Sequence, residues 1–333
     1  MEAFPGGELL LPSLPVPGVT TVIPVFNGEQ FLPATLASVA AQMRLPDRLV
    51  VIDDCSTDRT REVTADFLRQ NPRLNGELHS NERNQGLFGN LNRCLELAVG
   101  TDLLHILLAD DLVLPRFLEQ VVPTLASAAA PSMAWSLTEK IDAAGDLLPG
   151  QRGSSGGLPC PLSADELLRR QGQLRTVFCG SVLLKTGGRP APCRFPLDYP
   201  QVGDCVFYAD WARRSERRVE VPQVLCQIRH HAASTTSANA RRLQSWVGDE
   251  WRAMTQIAEW SEAGPLQKWL WRERIRCLFA ARSVVKQQLV RPADPAYAEE
   301  IGRLARGSVP ALHWSLGKAV VCLRDLILGP HPR

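Results

Sequence analysis

At 333 residues the chain exceeds what one hydrophobic core usually organises, which implies one large globular domain with an appendage, or two domains. Hydrophobic residues at 45% and charged residues at 22% exclude a disordered tail, a collagen and a disulfide knot. Thirty-seven Lys and Arg against 35 Asp and Glu leave a net charge of +2, too balanced for a nucleic-acid binder that works by general electrostatics, so no nucleic-acid partner is expected. The nine cysteines contain no Cys-x-x-Cys pair, which speaks against a disulfide framework or a zinc site. Met1 to Leu14 include Glu2 and Glu8 and lack a basic start followed by an apolar run, so they do not read as a secretory signal. The most apolar long segment, Ala311 to Leu328, is interrupted by Lys318, Arg324 and Asp325, and no membrane span is predicted. A cytoplasmic location is expected.

In chain order, a Pro-rich lead gives way to Val19–Val25, β-branched and apolar, which predicts a buried strand ending in the turn residues Phe26-Asn27-Gly28. Leu32, Leu36, Val39 and Met43 then recur on one helical face that stops before Pro46. Leu49 to Ile52 predicts a second strand running into Asp53-Asp54-Cys55-Ser56-Thr57-Asp58, with Ser56 as helix N-cap and Asp58 in the first turn of a helix that carries Val63 and Phe67. Gly76 to Ser80 predicts a weak third strand, followed by a polar loop and a helix presenting Leu91, Leu95 and Ala98. Leu103 to Leu108 predicts a fourth strand, covered on both faces and ending in Ala109-Asp110-Asp111, and Pro115 opens the next helix. Gly145 to Pro161 is a Gly/Ser/Pro-rich loop, and Ser163 to Glu166 has the spacing of a capping box. A strand is predicted within Val177 to Leu184, a short helix at Gly203 to Arg213, and a last strand at Val219 to Ile228. From Ala240 on, apolar residues at helical spacing with interspersed tryptophans predict a helical tail.

Such alternation predicts an α/β fold with a mostly parallel sheet, helices on both faces, and a ligand crevice beyond the carboxyl ends of the strands. Two of those ends carry adjacent aspartates, Asp53-Asp54 and Asp110-Asp111. Paired carboxylates in a crevice are costly unless a cation or polar ligand satisfies them, which makes Asp110-Asp111 a candidate site for Mg²⁺ or Mn²⁺.

Thr20 to Asn27, Gln42, Pro46 and Val50 to Thr60, then Arg83-Asn84-Gln85-Gly86, Leu107 to Pro115 and Gly180 to Lys185, resemble in order and spacing the family 2 inverting glycosyltransferases with the GT-A fold. The resemblance covers roughly residues 18 to 235 and implies a Rossmann-like GT-A domain at 18–238, after a lead at 1–17 and before a helical C-terminal extension at 239–333. It implies a nucleotide-sugar donor, with Pro24, Asn27, Asn84 and Gly86 around the nucleoside and Asp53 or Asp54 on the base. Asp110 would face the ribose and Asp111 would ligate the metal bridging the diphosphate. The Arg229-x-His231-x-x-Ser234 segment is similar to an element of the family in which the histidine completes the metal or diphosphate shell, a place that His230 also fits, while Arg229 would reach diphosphate oxygens. Asp204, at the start of a helix after the sheet, falls where the family places its catalytic base, with Asp198 and Asp210 less well placed and helix N-capping as the plainer role.

Leu108-Ala109-Asp110-Asp111 lacks the first acidic residue of the family's Asp-x-Asp-Asp pattern, which leaves a catalytically silent nucleotide-sugar-binding subunit as the rival reading. A dinucleotide oxidoreductase is disfavoured, because the first strand supplies no Gly-x-Gly-x-x-Gly turn. The acceptor implied is a glycan or lipid-linked saccharide in cell-surface polysaccharide synthesis, and UDP the favoured nucleotide. In the tail, Leu312, Leu316, Val320, Leu323 and Ile327 form one apolar face with Lys318 and Arg324 nearby, compatible with peripheral contact to the inner membrane face. The tail's tryptophans fit core packing best and also suit an oligomer interface.

Overall fold

The computed structural model describes residues 18–149, 156–174, 177–231 and 242–328; the lead at 1–17, Ser234 and the centre of the Gly145–Pro161 loop lie outside the described residues. The strands are β1 (Val19–Val25), β2 (Arg48–Asp53), β3 (Gly76–Ser80), β4 (Leu103–Ile106), β5 (Leu112–Val113), β6 (Ser132–Ile141), β7 (Cys160–Pro161), β8 (Val182–Lys185) and β9 (Arg218–Arg229). The helices are α1 (Leu32–Ala40), α2 (Thr60–Gln70), α3 (Gly86–Leu97), α4 (Phe117–Val121), α5 (Ala164–Gln171) and α6 (Gly203–Arg214). The tail adds α7 (Asp249–Glu259), α8 (Pro265–Val290), α9 (Pro295–Ser308) and α10 (Ala311–Leu328). Among the described residues the strands form one sheet in the order β3-β2-β1-β4-β8-β6-β9-β5, with β7 also paired to β9.

The half from β3 to β4 is parallel, and beyond it the sheet is mixed: β8 runs antiparallel to both β4 and β6, while β9 is parallel to β6. The chain leaves β1 outward to β2 and β3, then returns to β4 on the other side of β1. That reversal opens a crevice between the carboxyl ends of β1 and β4. Pro24 is tolerated inside β1 because β4 pairs only as far as Val22, so the missing N–H costs no bond on that side.

Side-chain alternation divides the sheet's residues between two cores. Ile23, Leu49, Val51 and Leu103 face α1 and α4 on one side, whereas Val22, Val50, Ile52 and Leu104 face α3 and α6 on the other. A third core joins α6, through Cys205, Val206 and Ala209, to the tail residues Met254, Ile257, Trp271, Phe279, Ile301 and Trp314.

The predicted elements recur with several differences: α1 ends at Ala40, so Met43 lies beyond it and is exposed, and the two-residue strands β5 and β7 were not expected. Ser56 does not cap α2: its hydroxyl accepts the Asn27 N–H at 2.8 Å, and Asp58 instead accepts the Thr60 N–H at 3.0 Å, because the helix begins one turn later than expected. The strand expected within Val177 to Leu184 starts only at Val182, after a 3-10 turn at Cys179–Ser181. The ten-residue β6, central to the second half of the sheet, was not anticipated. By contrast Ser163 caps α5 as expected, accepting the Glu166 N–H at 3.2 Å.

Candidate functional site

The crevice at the β1/β4 reversal is a cavity of about 910 Å³. Pro24, Asn27, Asp54, Asn84, Gly86, Asp110, Asp111, Asp204 and His231 all line it, although they are spread over more than 200 residues of sequence. On the β1 side, Asn27 takes a positive φ of 50°, which carries the chain away from the strand. Its side-chain carbonyl accepts the Thr57 N–H at 2.8 Å, tying the loop after β1 to the loop after β2. Asp54 accepts the Asn81 amide at 2.7 Å and the Gln85 backbone N–H at 2.9 Å, and so fixes the loop that leads into α3. Asn84 in turn accepts the Gly86 N–H at 2.9 Å, and Gly86, at φ +72°, has open space where a side chain would be.

Asp53 is placed otherwise. It is fully buried behind the cavity, where one carboxylate oxygen accepts the Ser56 N–H at 3.1 Å and the other lies 3.4 Å from the Arg61 guanidinium without a hydrogen bond. Of the two aspartates proposed for a base contact, only Asp54 reaches the cavity.

At the end of β4 the two carboxylates differ. Asp110 opens to the cavity and lies 3.0 Å from Nε2 of His231, whose ring packs 4.7 Å from that of Phe31. Asp111 is buried and accepts the Arg229 N–H at 2.9 Å; burial and the neighbouring Asp110 hold its carboxyl well above the usual carboxylate range. Among the described residues no group of three or more His, Cys, Asp or Glu side chains gathers closely enough to hold a metal unaided. The Arg229 guanidinium, expected to reach diphosphate oxygens, lines the cavity but is largely buried. It donates to the carbonyls of Asp110, Asp142 and Ala143 at 2.9, 3.1 and 3.2 Å, which commits three of its five N–H groups to holding the aspartate turn. His230 lines the cavity too, its imidazole pushed below its ordinary value by burial and by Lys140 and His231.

Asp204 faces these groups from the first turn of α6. Val202, not Asp204, holds the cap position, and the Asp204 carboxylate accepts the adjacent Cys205 N–H at 2.8 Å, so N-capping does not account for it. Burial pushes its carboxyl up to about 6, with the Cys205 N–H pulling in the opposite direction. A carboxylate poised there can accept a proton near neutral pH. Asp198 and Asp210 are elsewhere, ion-paired with Arg252 at 2.6 Å and with Arg213 at 2.6 Å. The sequence reading missed several walls of the cavity, among them Phe31, Lys140, Phe178 and Gln201. It also missed His105, buried in β4 with Nδ1 3.2 Å from the Thr21 hydroxyl and Nε2 3.0 Å from the Gly180 carbonyl. The apolar run from Met133 to Leu137 was the available signal for the strand that delivers Lys140.

Residues 20–135 match the model of the family described as glycosyl transferase family 2. That segment is similar to the family 2 glycosyl transferases. Curated relatives include the PGL/p-HBAD biosynthesis glycosyltransferase of Mycobacterium bovis (strain BCG / Pasteur 1173P2), 36% identical over 91 residues, or 27% of this chain and 34% of the relative. A candidate teichuronic acid biosynthesis glycosyltransferase of Bacillus subtilis (strain 168), TuaG, is 33% identical over 86 residues, or 25% of this chain and 32% of the relative. The chain thus spans about a third of the length of the curated relatives it matches. Among solved structures, S. aureus TarS 1-349 in complex with UDP-GlcNAc superposes with a TM-score of 0.66 at 15% identity, over 90% of this chain and 83% of that one. The mannosyltransferase PcManGT from Pyrobaculum calidifontis, in complex with GDP-Man and Mn²⁺, gives 0.55 at 18% identity, over 93% and 87%. At such identity the likeness concerns the fold, which is the GT-A type, and it extends beyond the family 2 segment into the tail helices.

Proposed function

We propose that the chain is an inverting glycosyltransferase that moves a hexose or N-acetylhexosamine from a nucleotide diphosphate donor, UDP favoured, to a hydroxyl of a glycan or lipid-linked saccharide in cell-surface polysaccharide or glycolipid synthesis. The observation that carries the reading is the convergence on one cavity of nine residues from the strand ends and from α6, with a carboxylate of raised pKa among them. Pro24, Asn27, Asp54, Asn84 and Gly86 would enclose the nucleoside and Asp110 the ribose. The acceptor oxygen forms a bond to the anomeric carbon on the face opposite the leaving group. The bond from that carbon to the diphosphate oxygen breaks, and the acceptor's proton passes to Asp204.

A Mg²⁺ or Mn²⁺ ion fits the oxygen donors at the end of β4, since two adjacent carboxylates with a raised Asp111 pKa relax when a cation shares the site. Asp111, Asp110 and His231 would hold it together with oxygens of the donor, and its chemistry would be neutralisation of charge developing on the diphosphate. What the relatives' names and the bound ligands of the structural neighbours say of those proteins supports this assignment. The test is calorimetric titration with UDP, GDP, dTDP, CDP and NAD, with and without Mn²⁺, repeated on Asp111→Ala. Metal-dependent binding of one nucleoside diphosphate, weakened at least tenfold in the variant, is the expected result. Binding of NAD alone, or of none of these ligands, overturns the reading.

A further inference from the structure

Tail helices fasten the cavity wall that carries Asp204. From Phe195 to Val202 the chain forms no helix or strand, yet Pro200 and Gln201 line the cavity and Val202 caps α6, two residues before Asp204. Backbone of this kind opens readily unless side chains hold it. At the near end Asn92 of α3 does so: its amide donates to the Phe195 carbonyl and its side-chain carbonyl accepts the Phe195 N–H, each at 2.9 Å. At the far end the holding groups come from α7. The Arg252 guanidinium donates to the Asp198 carboxylate at 2.6 Å and to the Asp198 carbonyl at 3.2 Å, and it lies 4.3 Å from the centroid of the Tyr199 ring. Gln256, four residues on and therefore on the same helix face, accepts the Tyr199 hydroxyl.

An ion pair between two exposed side chains, taken alone, holds little. Here Asp249 accepts an Arg252 N–H at 3.2 Å and orients the guanidinium, the cation stacks on an aromatic face, and the phenol hydroxyl is bonded as well. The clamp closes on two consecutive residues, Asp198 and Tyr199. Tyr199 and Val202 are also buried in the core that α6 shares with the tail. The grip therefore falls on the chain immediately ahead of Asp204. It comes from outside the sheet whose strand ends supply Asp54, Asp110 and His231, and neither Arg252 nor Gln256 lines the cavity.

We propose that Arg252 and Gln256 are positioning residues for Asp204: by clamping Asp198 and Tyr199 they fix the wall at Pro200 and Gln201 and the entry into α6, so the helical tail completes the transferase site. The inference rests on the reading of the cavity as that site. A displacement of about 1 Å at a reacting group costs about a hundredfold in rate. Release of the clamp should thus lower turnover and spare nucleoside binding, since the wall formed by Asn27, Asp54 and Asn84 is held by its own hydrogen bonds to Thr57, Gln85 and Gly86.

The test compares the full-length chain with Arg252→Ala, Arg252→Lys and Gln256→Ala. The Arg252 side chain is 43% exposed, so its variants should keep the circular dichroism of the wild type. Without any ligand, amide hydrogen exchange from Asp198 to Cys205 should quicken about tenfold or more in Arg252→Ala and stay unchanged in α3. Release of nucleoside diphosphate is then followed with Mn²⁺ over a panel of UDP- and GDP-sugars, water serving as acceptor, on the donor that the wild type cleaves. In Arg252→Ala kcat should fall about tenfold or more while the nucleoside diphosphate Kd stays within about twofold. Gln256→Ala should act in the same direction, and Arg252→Lys, which keeps the charge and loses the planar stack, should be intermediate. The acidic limb of the pH profile should move down by about one pH unit in Arg252→Ala, because a loosened wall admits water to Asp204, whose raised pKa comes from burial. Cys179 and Tyr208, which face the same carboxylate, are held protonated by burial and do not contribute to that limb. Unchanged exchange in Arg252→Ala overturns the proposal. So does quickened exchange with kcat and the acidic limb unaltered, which leaves the clamp a contact that stabilises the fold alone, and so do equal losses of kcat and of nucleotide affinity. A wild type that releases nucleoside diphosphate from no donor overturns the reading of the cavity itself, and this inference with it, whatever the exchange shows.

Discussion

Asp204→Asn separates chemistry from stability, because the proposed role and the burial of the carboxylate push its effects in opposite directions. A carboxyl moved from its ordinary 3.8 to about 6 by burial is bound more tightly to its proton in the folded chain than in the unfolded one. Stability from this group is therefore fully present below about pH 4 and is lost as pH rises through about 6. The displacement corresponds to about 3 kcal/mol, reduced to about 2 kcal/mol because the side chain is partly open to water in the cavity. Asparagine resembles the protonated acid, so the variant should be more stable than the wild type by about 2 kcal/mol at neutral pH and no more stable near pH 4. Activity should move the other way. General-base catalysis contributes about 10²–10⁴-fold, and the variant should lose at least that lower factor in kcat while nucleoside diphosphate affinity changes little. In the wild type the ionised fraction falls about tenfold between pH 7 and pH 5, and kcat/KM should follow it, whereas residual turnover in the variant should lack that acidic limb. The assay is release of nucleoside diphosphate across this range, paired with urea denaturation of both proteins. An acidic limb that survives in Asp204→Asn, or a variant less stable than the wild type at neutral pH, refutes the assignment of Asp204 as a buried base.

Two further outcomes test the packing of the fold. His105 is buried between Thr21, Gly180 and the ring of Phe117, and burial lowers its pKa to about 4, so the unfolded state binds the extra proton between about pH 6.5 and pH 4. Its contribution is lost as pH falls through that window, by about 3 kcal/mol in total. The stability difference between wild type and His105→Asn should shrink correspondingly from neutral pH to pH 4 in urea titrations, and a difference independent of pH would count against a neutral buried imidazole. Gly317→Ala places a methyl carbon 2.6 Å from Cβ of Ala280 and 2.7 Å from the backbone nitrogen of Ala281. Overpacking against backbone should cost about 1–3 kcal/mol despite alanine's better helix propensity, and an unchanged denaturation midpoint would show that α10 does not rest on α8 as described.

How far the sequence carried these conclusions depended on whether local pattern or tertiary placement decided the matter. The parallel half was legible because strands buried on both faces read as continuous apolar runs, as in Val19–Val25 and Leu103–Ile106, and because carboxylates at their ends mark the crevice. Which carboxylate enters the crevice was not legible for Asp53 and Asp54, since adjacent residues at a strand end point to opposite sides and the register of β1 with β2, ending at Val25 and Asp53, settles it. The strand β6 escaped because its second half, Thr138-Glu139-Lys140, is polar and its pairing with β9 is broken by two register shifts. Arg229 looked available in sequence, yet its acceptors at Asp142 and Ala143 lie 87 and 86 residues away and could not be foreseen from spacing.

The same limit governs α10. In sequence, Trp314, Gly317 and Val321 and the row Leu312, Leu316, Val320 and Leu323 are two apolar stripes on one helix, and periodicity alone ranks neither as the buried one. Packing against Glu273 and Ala280 uses the stripe that contains glycine, because only a residue without a side chain lets the two backbones approach so closely. The bulkier leucine row is thereby left in solvent, where four large apolar side chains in line have no role in holding the monomer together. Burial on this helix is thus decided by the close approach of two backbones rather than by hydrophobicity, and for that reason the pattern of apolar residues alone points to the wrong stripe as readily as to the right one.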